Sequence, residues 1–252
     1  MNNLLFSVLA GTGAGIIGTG LGGAIAFFLN NPGKRFLSIL LSFSAGLMIA
    51  VVCFDLLPNA FALGSLFYGL LGVVAGALMI ILCQQLLTGA GRKKPDDRAV
   101  GADIIKNYLR TGILVGVGIA LHNFPEGLAI GSGFTAVESY GLGLSLVIAL
   151  HDIPEGIAMA TPMRMGGMNK LLVFLSALLA GVPTGIGALI GYLLGEISPL
   201  FISLCLGFAG GAMLYITCNE LIPESNELHR GRISSIGLVL GVMAGIWISS
   251  SI

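Results

Sequence analysis

Two short segments of the sequence combine histidine, proline and glutamate at the same spacing. The first runs from His122 to Glu126 and the second from His151 to Glu155, each with proline before the glutamate. In a helix, residues four apart lie on one face about 6 Å apart, so each segment presents an imidazole beside a carboxylate. Together the segments can supply two imidazoles and two carboxylates. This donor set suits a divalent cation such as zinc, iron(II), manganese or cadmium.

Four further residues extend this candidate donor set. Asn123 and Asp152 each follow a histidine and point about 100° around the helix, where they can bind a second cation or orient the ligands of the first. Met48 and Met213 lie midway along two other apolar segments. A thioether can bind a metal, but packing is the more common role of a buried methionine. Both interpretations of the methionines stay open at this point.

The composition requires these segments to lie in a membrane. Hydrophobic residues make up 56% of the 252 residues and charged residues 10%, whereas soluble domains contain about 25% charged residues. Apolar runs of roughly 20 residues recur, and this length crosses a bilayer as a helix. Strand-like alternation is absent, which excludes a transmembrane β-barrel. The sequence predicts an all-α membrane protein with lipid around it, and we expect no nucleic-acid partner.

Eight transmembrane spans are predicted from the apolar runs between polar, proline and glycine residues. They cover residues 4–29, 36–57, 63–87, 111–133, 141–162, 171–194, 199–223 and 232–251. All 12 basic residues fall in loops that follow odd-numbered spans. Cytoplasmic loops are enriched in Lys and Arg, so both termini are predicted outside and the 88–110 loop inside.

The sequence contains two internal repeats. At an offset of 165, residues 43–58 align with 208–223, and spans 1–3 repeat as spans 6–8. At an offset of 29, the two histidine segments align, so spans 4 and 5 are also copies. The copies cross in opposite directions, which predicts a 3+2+3 inverted repeat of the kind found in secondary transporters. We therefore divide one transmembrane domain, 1–252, into repeat A (4–87), the cytoplasmic loop (88–110), a central pair (111–162) and repeat B (171–252).

Acidic residues within the spans mark a candidate pathway. A carboxylate costs a few kcal/mol at the bilayer centre, so such residues are functional by default. Asp55 is predicted near the outer end of span 2 and its copy Glu220 near the inner end of span 7, as an entrance and an exit. Glu224, Glu227 and His229 extend the inner side, or belong to an ordinary solvated loop.

The glycines and cysteines have structural interpretations. The 39 glycines, many of them four residues apart, favour close helix packing in a membrane. The 4 cysteines have neither zinc-knuckle nor disulfide spacing. We expect them to be small residues of the core.

The duplicated segments, residues 122–127 and 151–156, resemble the signature of the ZIP (Zrt/Irt-like) family of divalent metal transporters. The resemblance covers essentially the whole chain, including the eight spans and the 3+2+3 order. The length is similar to that of compact bacterial members. The resemblance implies import of divalent cations into the cytoplasm, frequently by a homodimer. From the size of the chain we expect the inner or plasma membrane.

The resemblance also implies two adjacent metal sites. The first would take its ligands from spans 2, 4 and 5, namely His122, Glu126, His151, Glu155 and Met48. The second would use Asn123 and Asp152, with Glu126 and Glu155 as bridges. Many members complete the second site with a carboxylate from span 6, where this sequence has Thr184, which counts against a tightly bound second metal. The 88–110 loop contains no histidine, so no metal-sensing loop is implied.

Three functions are compatible with buried metal ligands in a membrane. We favour a carrier that exposes the cation alternately to each face, with zinc as the favoured substrate and iron, manganese and cadmium as alternatives. An intramembrane metal-dependent hydrolase is less favoured because neither segment has the order His-Glu-x-x-His. A metal-selective channel would use the same ligands and differ in its kinetics. We expect no enzyme activity and no cofactor, with the cation as bound substrate.

Overall fold

The computed structural model describes residues 3–28, 33–88 and 102–250. Within these residues every regular element is a helix, and eight helices are long and apolar enough to cross a membrane. They are α1 (Asn3–Ile25), α2 (Lys34–Leu63), α3 (Leu66–Thr88), α4 (Ala102–Ala136), α5 (Glu138–Met165), α6 (Lys170–Gly195), α7 (Pro199–Leu228) and α8 (Arg232–Ser249). The prediction of an all-α protein with eight candidate spans is confirmed.

Two of these helices are longer than predicted because they continue through a proline. α2 continues past Pro58 and α7 past Pro223. In each helix one π-helical turn precedes the proline, Val52–Leu56 in α2 and Thr217–Leu221 in α7. Proline lacks an N–H and clashes with the carbonyl four residues earlier, and the wider π-turn relieves that clash. Proline is therefore a poor marker of the helix end at these two positions.

α4 begins at Ala102, well before the predicted start of span 4 at residue 111. A helix can continue beyond its apolar segment because its backbone hydrogen bonds are internal, so apolar length alone underestimates it. The predicted loop 88–110 is correspondingly shorter. Arg92, Lys93, Lys94 and Arg98, which contributed to the predicted orientation, lie outside the described residues.

Helices α1, α4, α5 and α6 pack against one another as a four-helix group, while α2 packs on α8 and α3 on α7. Glycines lie where the backbones cross. A Cβ atom on Gly15 of α1 would collide with the carbonyl of Gly181 in α6. One on Gly22 would collide with the carbonyl of Ile153 in α5. At these positions the glycines have the close-packing role predicted from their spacing.

The same backbone contact occurs twice outside the four-helix group. Gly76 of α3 lies against the carbonyl of Phe208 in α7, and Gly241 of α8 lies against the carbonyl of Phe43 in α2. The two glycines are 165 residues apart, and so are the two phenylalanines. The packing of α3 on α7 therefore uses positions equivalent to those that pack α8 on α2.

Two buried serines join α2 and α7 at their ends. Ser38 donates to the carbonyl of Ser225 at 2.9 Å, and Ser203 donates to the carbonyl of Ala60 at 2.6 Å. The start of each helix thus lies beside the end of the other. It follows that α2 and α7 are antiparallel.

The outer faces of α3 and α8 carry exposed apolar side chains, as expected for surfaces covered by lipid. Cys53 and Cys218 are also exposed, whereas Cys205 is buried. The expectation that all four cysteines lie in the core is therefore wrong for these two. An apolar run in a membrane protein does not distinguish a residue that faces the core from one that faces lipid.

Candidate metal centre

The two histidine segments lie side by side in the four-helix group. His122 and Glu126 belong to α4, and His151 and Glu155 belong to α5. All four residues are at most 2% exposed. The proline of each segment lies inside a continuous helix. The structure therefore brings together, in the protein interior, the four side chains that the spacing predicted to converge.

The hydrogen bonds of these side chains cross between the helices. His122 Nε2 lies 2.6 Å from Glu155 Oε2, and His151 Nε2 lies 2.8 Å from Glu126 Oε1. Each imidazole therefore bonds to the carboxylate of the other helix. Both pairs are buried, where water does not weaken their attraction.

Glu126, His151 and Asp152 form a tighter group within this centre. One ligand atom from each lies within 4.8 Å of the others, and His151 Nε2 is 3.5 Å from Asp152 Oδ1. Among the described residues, several buried atoms of the centre have no hydrogen-bond partner: Nδ1 of both histidines, Glu126 Oε2, Glu155 Oε1 and both oxygens of Asp152. Buried polar atoms are normally satisfied, so this concentration of ligand atoms is typical of a group that could hold a metal ion.

α4 and α6 border the centre with further oxygen atoms, and glycines of α1 pack beside them. The Asn123 amide donates to a backbone carbonyl of α6 at 2.8 Å, which leaves its buried Oδ1 without a partner in the described chain. The buried hydroxyl of Thr184, next to Gly15 of α1, also has no hydrogen-bond partner in the described chain. Gly18, one turn later on α1, lies against the Cβ of Asp152. Thr184 and Asp152, two candidates for a second site, thus both lie against glycines of α1.

α2 contacts the same region of α5. The Ser44 hydroxyl donates to the carbonyl of His151 at 3.3 Å. Met48, one turn later on α2, is fully buried, and its Sδ lies 3.7 Å from the hydroxyl oxygen of Thr217 in α7. This arrangement places Met48 on the face of α2 that meets the second histidine segment.

Asp55 and Glu220 lie at opposite ends of the protein. Glu220 is little more than one turn from Ser225, which bonds to Ser38 at the start of α2. Asp55 is about 25 Å further along α2 from Ser38. Ser249 donates to Asp55 at 2.7 Å. At the other end Glu220 accepts from Gln84 of α3 at 2.6 Å.

The remaining candidates of the pathway lie at the end of α7. Glu224 and Glu227 are exposed, and His229, directly after the helix, is half-buried. The sequence interpretation did not include Gln84, Ser249 or Thr217, although each hydrogen-bonds to a candidate residue. Each is a polar residue within a predicted transmembrane span, and that signal could have identified it.

The arrangement of the centre can bind a divalent cation. Its candidate ligands combine imidazole nitrogen with carboxylate oxygen, a combination that suits zinc and other borderline divalent cations. Thiolates are absent from the ligand atoms described above, so the set imposes no preference for a soft metal. The chemistry of the site therefore agrees with a function in handling divalent metals.

Comparison with known proteins leads to the same chemistry. Residues 92–252 match the family described as "ZIP Zinc transporter". The chain is 30% identical to "Zinc transporter ZupT" of Clostridium perfringens, covering 96% of this chain and 94% of that protein. Identity to "Zinc transporter ZupT" of Chlorobium limicola is 32%, covering 95% and 93%. "Putative zinc transporter At3g08650" of Arabidopsis thaliana is 32% identical over 88% of this chain and 35% of its own length.

These relatives are named as transporters, which agrees with the prediction that the chain is not an enzyme. Together with the eight candidate spans, they identify a multi-pass integral membrane protein. The family match covers more than half of the chain, and the similarity to bacterial relatives extends over nearly all of it. The chain therefore belongs to the ZIP family of zinc transporters.

Proposed function

We propose that this protein carries zinc into the cytoplasm through the metal centre between α4 and α5. The observation that supports this most strongly is the concentration of buried, unpartnered ligand atoms on His122, Glu126, His151, Asp152 and Glu155. Iron(II), manganese and cadmium are alternative substrates because imidazole and carboxylate ligands also suit them. The cation is cargo that passes through the protein and not a resident cofactor.

We assign the ligands to two overlapping sites. The first consists of His122, Glu126, His151 and Glu155, with Met48 from α2. The second consists of Asn123 and Asp152, with Glu126 and Glu155 as bridging carboxylates and Thr184 at its border. The distances within the Glu126, His151 and Asp152 group support this overlap because one imidazole lies between two carboxylates.

We propose that the carrier works by alternating access, with a 3+2+3 inverted repeat and both termini outside. Two pairs of contacts support the repeat. Gly76 on Phe208 is matched by Gly241 on Phe43, and the bond from Ser38 to Ser225 is matched by the one from Ser203 to Ala60. All these matches have the offset of 165. A protein built from inverted copies can exchange the conformations of its two halves, which opens the site to each face in turn.

Zinc entry into sealed proteoliposomes that enclose a fluorescent zinc indicator tests the carrier. We expect slow, saturable entry for the wild type and a rate reduced by about tenfold or more for His122→Ala and Glu126→Ala, because each loses a ligand and leaves a buried partner unpaired. Ser145→Ala is the matched control, since its hydroxyl donates to the carbonyl of Gly141 in its own helix.

Two results would contradict the carrier. Failure of zinc, iron(II) and manganese to enter, in either orientation of the protein, would exclude transport by this chain. Large currents through single proteins, without saturation, would identify a channel that uses the same ligands.

The variant Thr184→Glu tests the proposed second site. A carboxylate at this position would add a charged oxygen ligand beside Asp152, so we expect the variant to bind about two zinc ions per chain and the wild type about one. Equilibrium dialysis of the purified protein with zinc measures this ratio. Thr184→Ser, which keeps the hydroxyl, should match the wild type, and an unchanged ratio for Thr184→Glu would contradict the assignment.

We propose a homodimer in the inner or plasma membrane as the working assembly, as the family resemblance implies. Chemical cross-linking in intact membranes at low expression tests it. A single band at the monomer mass after efficient cross-linking would contradict it.

A further inference from the structure

Two hydrogen bonds connect a pathway acid to a neutral side chain on a neighbouring helix. The Gln84 amide of α3 donates to Glu220 Oε1 of α7 at 2.6 Å. The Ser249 hydroxyl of α8 donates to Asp55 Oδ1 of α2 at 2.7 Å. In the described part of the chain, neither acid forms an ion pair with a lysine or arginine. Both acids are half-buried.

These two bonds occupy equivalent positions of the internal repeat. Asp55 and Glu220 are 165 residues apart, and so are Gln84 and Ser249. Both acids also lie in the π-turns, Val52–Leu56 and Thr217–Leu221. The donor is an amide in one copy and a hydroxyl in the other, yet both bond to the acid. What the two copies share is therefore a neutral donor held against the acid of the π-turn.

The two acids face the central pair of helices from opposite ends. Glu220 is close enough to His122 of the metal centre for its charge to act on the imidazole. Asp55 is close enough to Tyr140, in the first turn of α5, for the same kind of interaction. Because α2 and α7 are antiparallel and Ser38 lies beside Ser225, the two acids are about 18 Å apart along the helices. One acid and its donor thus lie at each end of the route to the centre.

A neutral donor affects a carboxylate differently from a lysine or arginine. One hydrogen bond from an amide or a hydroxyl orients the carboxylate without cancelling its charge. The second oxygen then stays available to a passing cation. At Glu220 the orientation is fixed further, because Asn219 of the same π-turn donates to Gln84 Oε1 at 3.2 Å.

We propose that Gln84 and Ser249 are positioning residues, each of which holds one pathway acid in the orientation that captures and releases zinc at its own face of the membrane. Ser249 acts through Asp55, and Gln84 acts through Glu220. This inference rests on the proposed function as a zinc carrier. It predicts that each variant changes the apparent affinity for zinc at one face only.

Zinc transport into right-side-out and inverted membrane vesicles tests the proposal. Ser249→Ala should raise the half-saturating zinc concentration by roughly fivefold at the face that carries Asp55, and should leave it within about twofold at the other face. Gln84→Met, which keeps the length of the side chain but cannot hydrogen-bond to Glu220 or Asn219, should give the reverse pattern. Ser250→Ala is the control, since its hydroxyl donates to the Trp247 carbonyl.

A second measurement separates positioning from a structural role. If Gln84 acts through Glu220, then Gln84→Met should have no further effect on a protein that already carries Glu220→Gln. Ser249→Ala should likewise have no further effect in the presence of Asp55→Asn. Ser249→Thr, which keeps the hydroxyl, should restore normal affinity.

The outcomes distinguish this inference from the proposed function. Suppose that the wild type transports zinc but each variant changes the half-saturating zinc concentration equally at both faces, or has the same effect in a protein whose acid is already replaced. The positioning role is then wrong, and the proposed carrier function is unaffected. If the wild type transports no zinc, both are wrong. A variant that keeps normal affinity at its unaffected face is folded, so that face serves as an internal control.

Discussion

At the scale of single residues, the thioether of Met48 is the softest candidate ligand in the proposed centre. It is fully buried, and its sulfur accepts a hydrogen bond from Thr217. Imidazole and carboxylate bind zinc well, whereas a thioether favours softer cations such as cadmium. We therefore expect Met48 to have its largest effect on the choice between metals.

Met48→Leu should weaken inhibition of zinc entry by cadmium by about tenfold, while the half-saturating concentration of zinc changes by less than about threefold. The side chains have similar volumes, so packing is preserved. Competition between cadmium and zinc in proteoliposomes measures both values. Met213→Leu is the matched control because Met213 occupies the equivalent repeat position in α7 and is equally buried. Equal effects of the two variants would contradict a role of Met48 as a ligand.

The identities of the central residues could be predicted from the sequence, but their pairing could not. Duplication and spacing of four residues identify His122, Glu126, His151 and Glu155, because these features depend on one helix at a time. The pairing of His122 with Glu155 depends on how α4 and α5 are rotated and shifted against each other. That relation is set by packing of the four-helix group. The glycine contacts with α1 and α6 contribute to that packing.

At the scale of helices, the glycines separate into those in contact with a backbone and those in open space. Gly76 of α3 lies against the Phe208 carbonyl, where a Cβ atom has no room. Gly118 of α4 has no neighbouring atom within 4 Å of the position that a Cβ would take. Both glycines lie in helices, so they differ in packing and not in backbone conformation.

Gly76→Ala should lower the free energy of unfolding by about 1–3 kcal/mol, because α3 and α7 must move apart to admit the methyl group. Gly118→Ala should leave it unchanged or raise it by up to about 1 kcal/mol, since alanine favours a helix over glycine. Thermal unfolding of the purified proteins in detergent compares the two variants. Equal stabilities of the two variants would contradict this prediction, because they would show that α3 and α7 can move apart at little cost in free energy.

The spacing of small residues in the sequence predicts close packing of helices. It does not predict which helix each glycine contacts. The π-turns were not foreseen either. Rules for soluble helices place a boundary at Pro58 and Pro223, whereas in a membrane the chain gains by keeping its backbone hydrogen-bonded through the proline. The wider turn before each proline is how both helices continue.

At the scale of the whole molecule, the orientation in the membrane follows from the distribution of charge. Val137 lies exposed between α4 and α5, and Arg230 lies exposed between α7 and α8. The enrichment of basic residues in loops after odd-numbered spans predicts that Arg230 lies in the cytoplasm and Val137 outside. The sequence predicts this orientation more directly than the fold does, because the orientation depends on the charge of the loops and not on helix packing.

Single cysteines at these positions test the orientation. In a variant without the four native cysteines, Val137→Cys should react with a membrane-impermeant maleimide in intact cells, whereas Arg230→Cys should react only after the cells are opened. Gel shift of the labelled protein measures the reaction. The opposite pattern would invert the proposed topology, and with it the assignment of Asp55 to the outer face.

The bonds of His122 to Glu155 and of His151 to Glu126 have a consequence for the speed of a complete cycle. A cation that enters must separate these side chains, and the same bonds re-form when it departs. In the proposed mechanism these bonds compete with the cation for the same side chains, which would weaken its binding and speed its release. A storage protein would gain nothing from such competition. The proposed carrier has to empty itself at every turnover, and bonds that re-form as the ion leaves would favour that release.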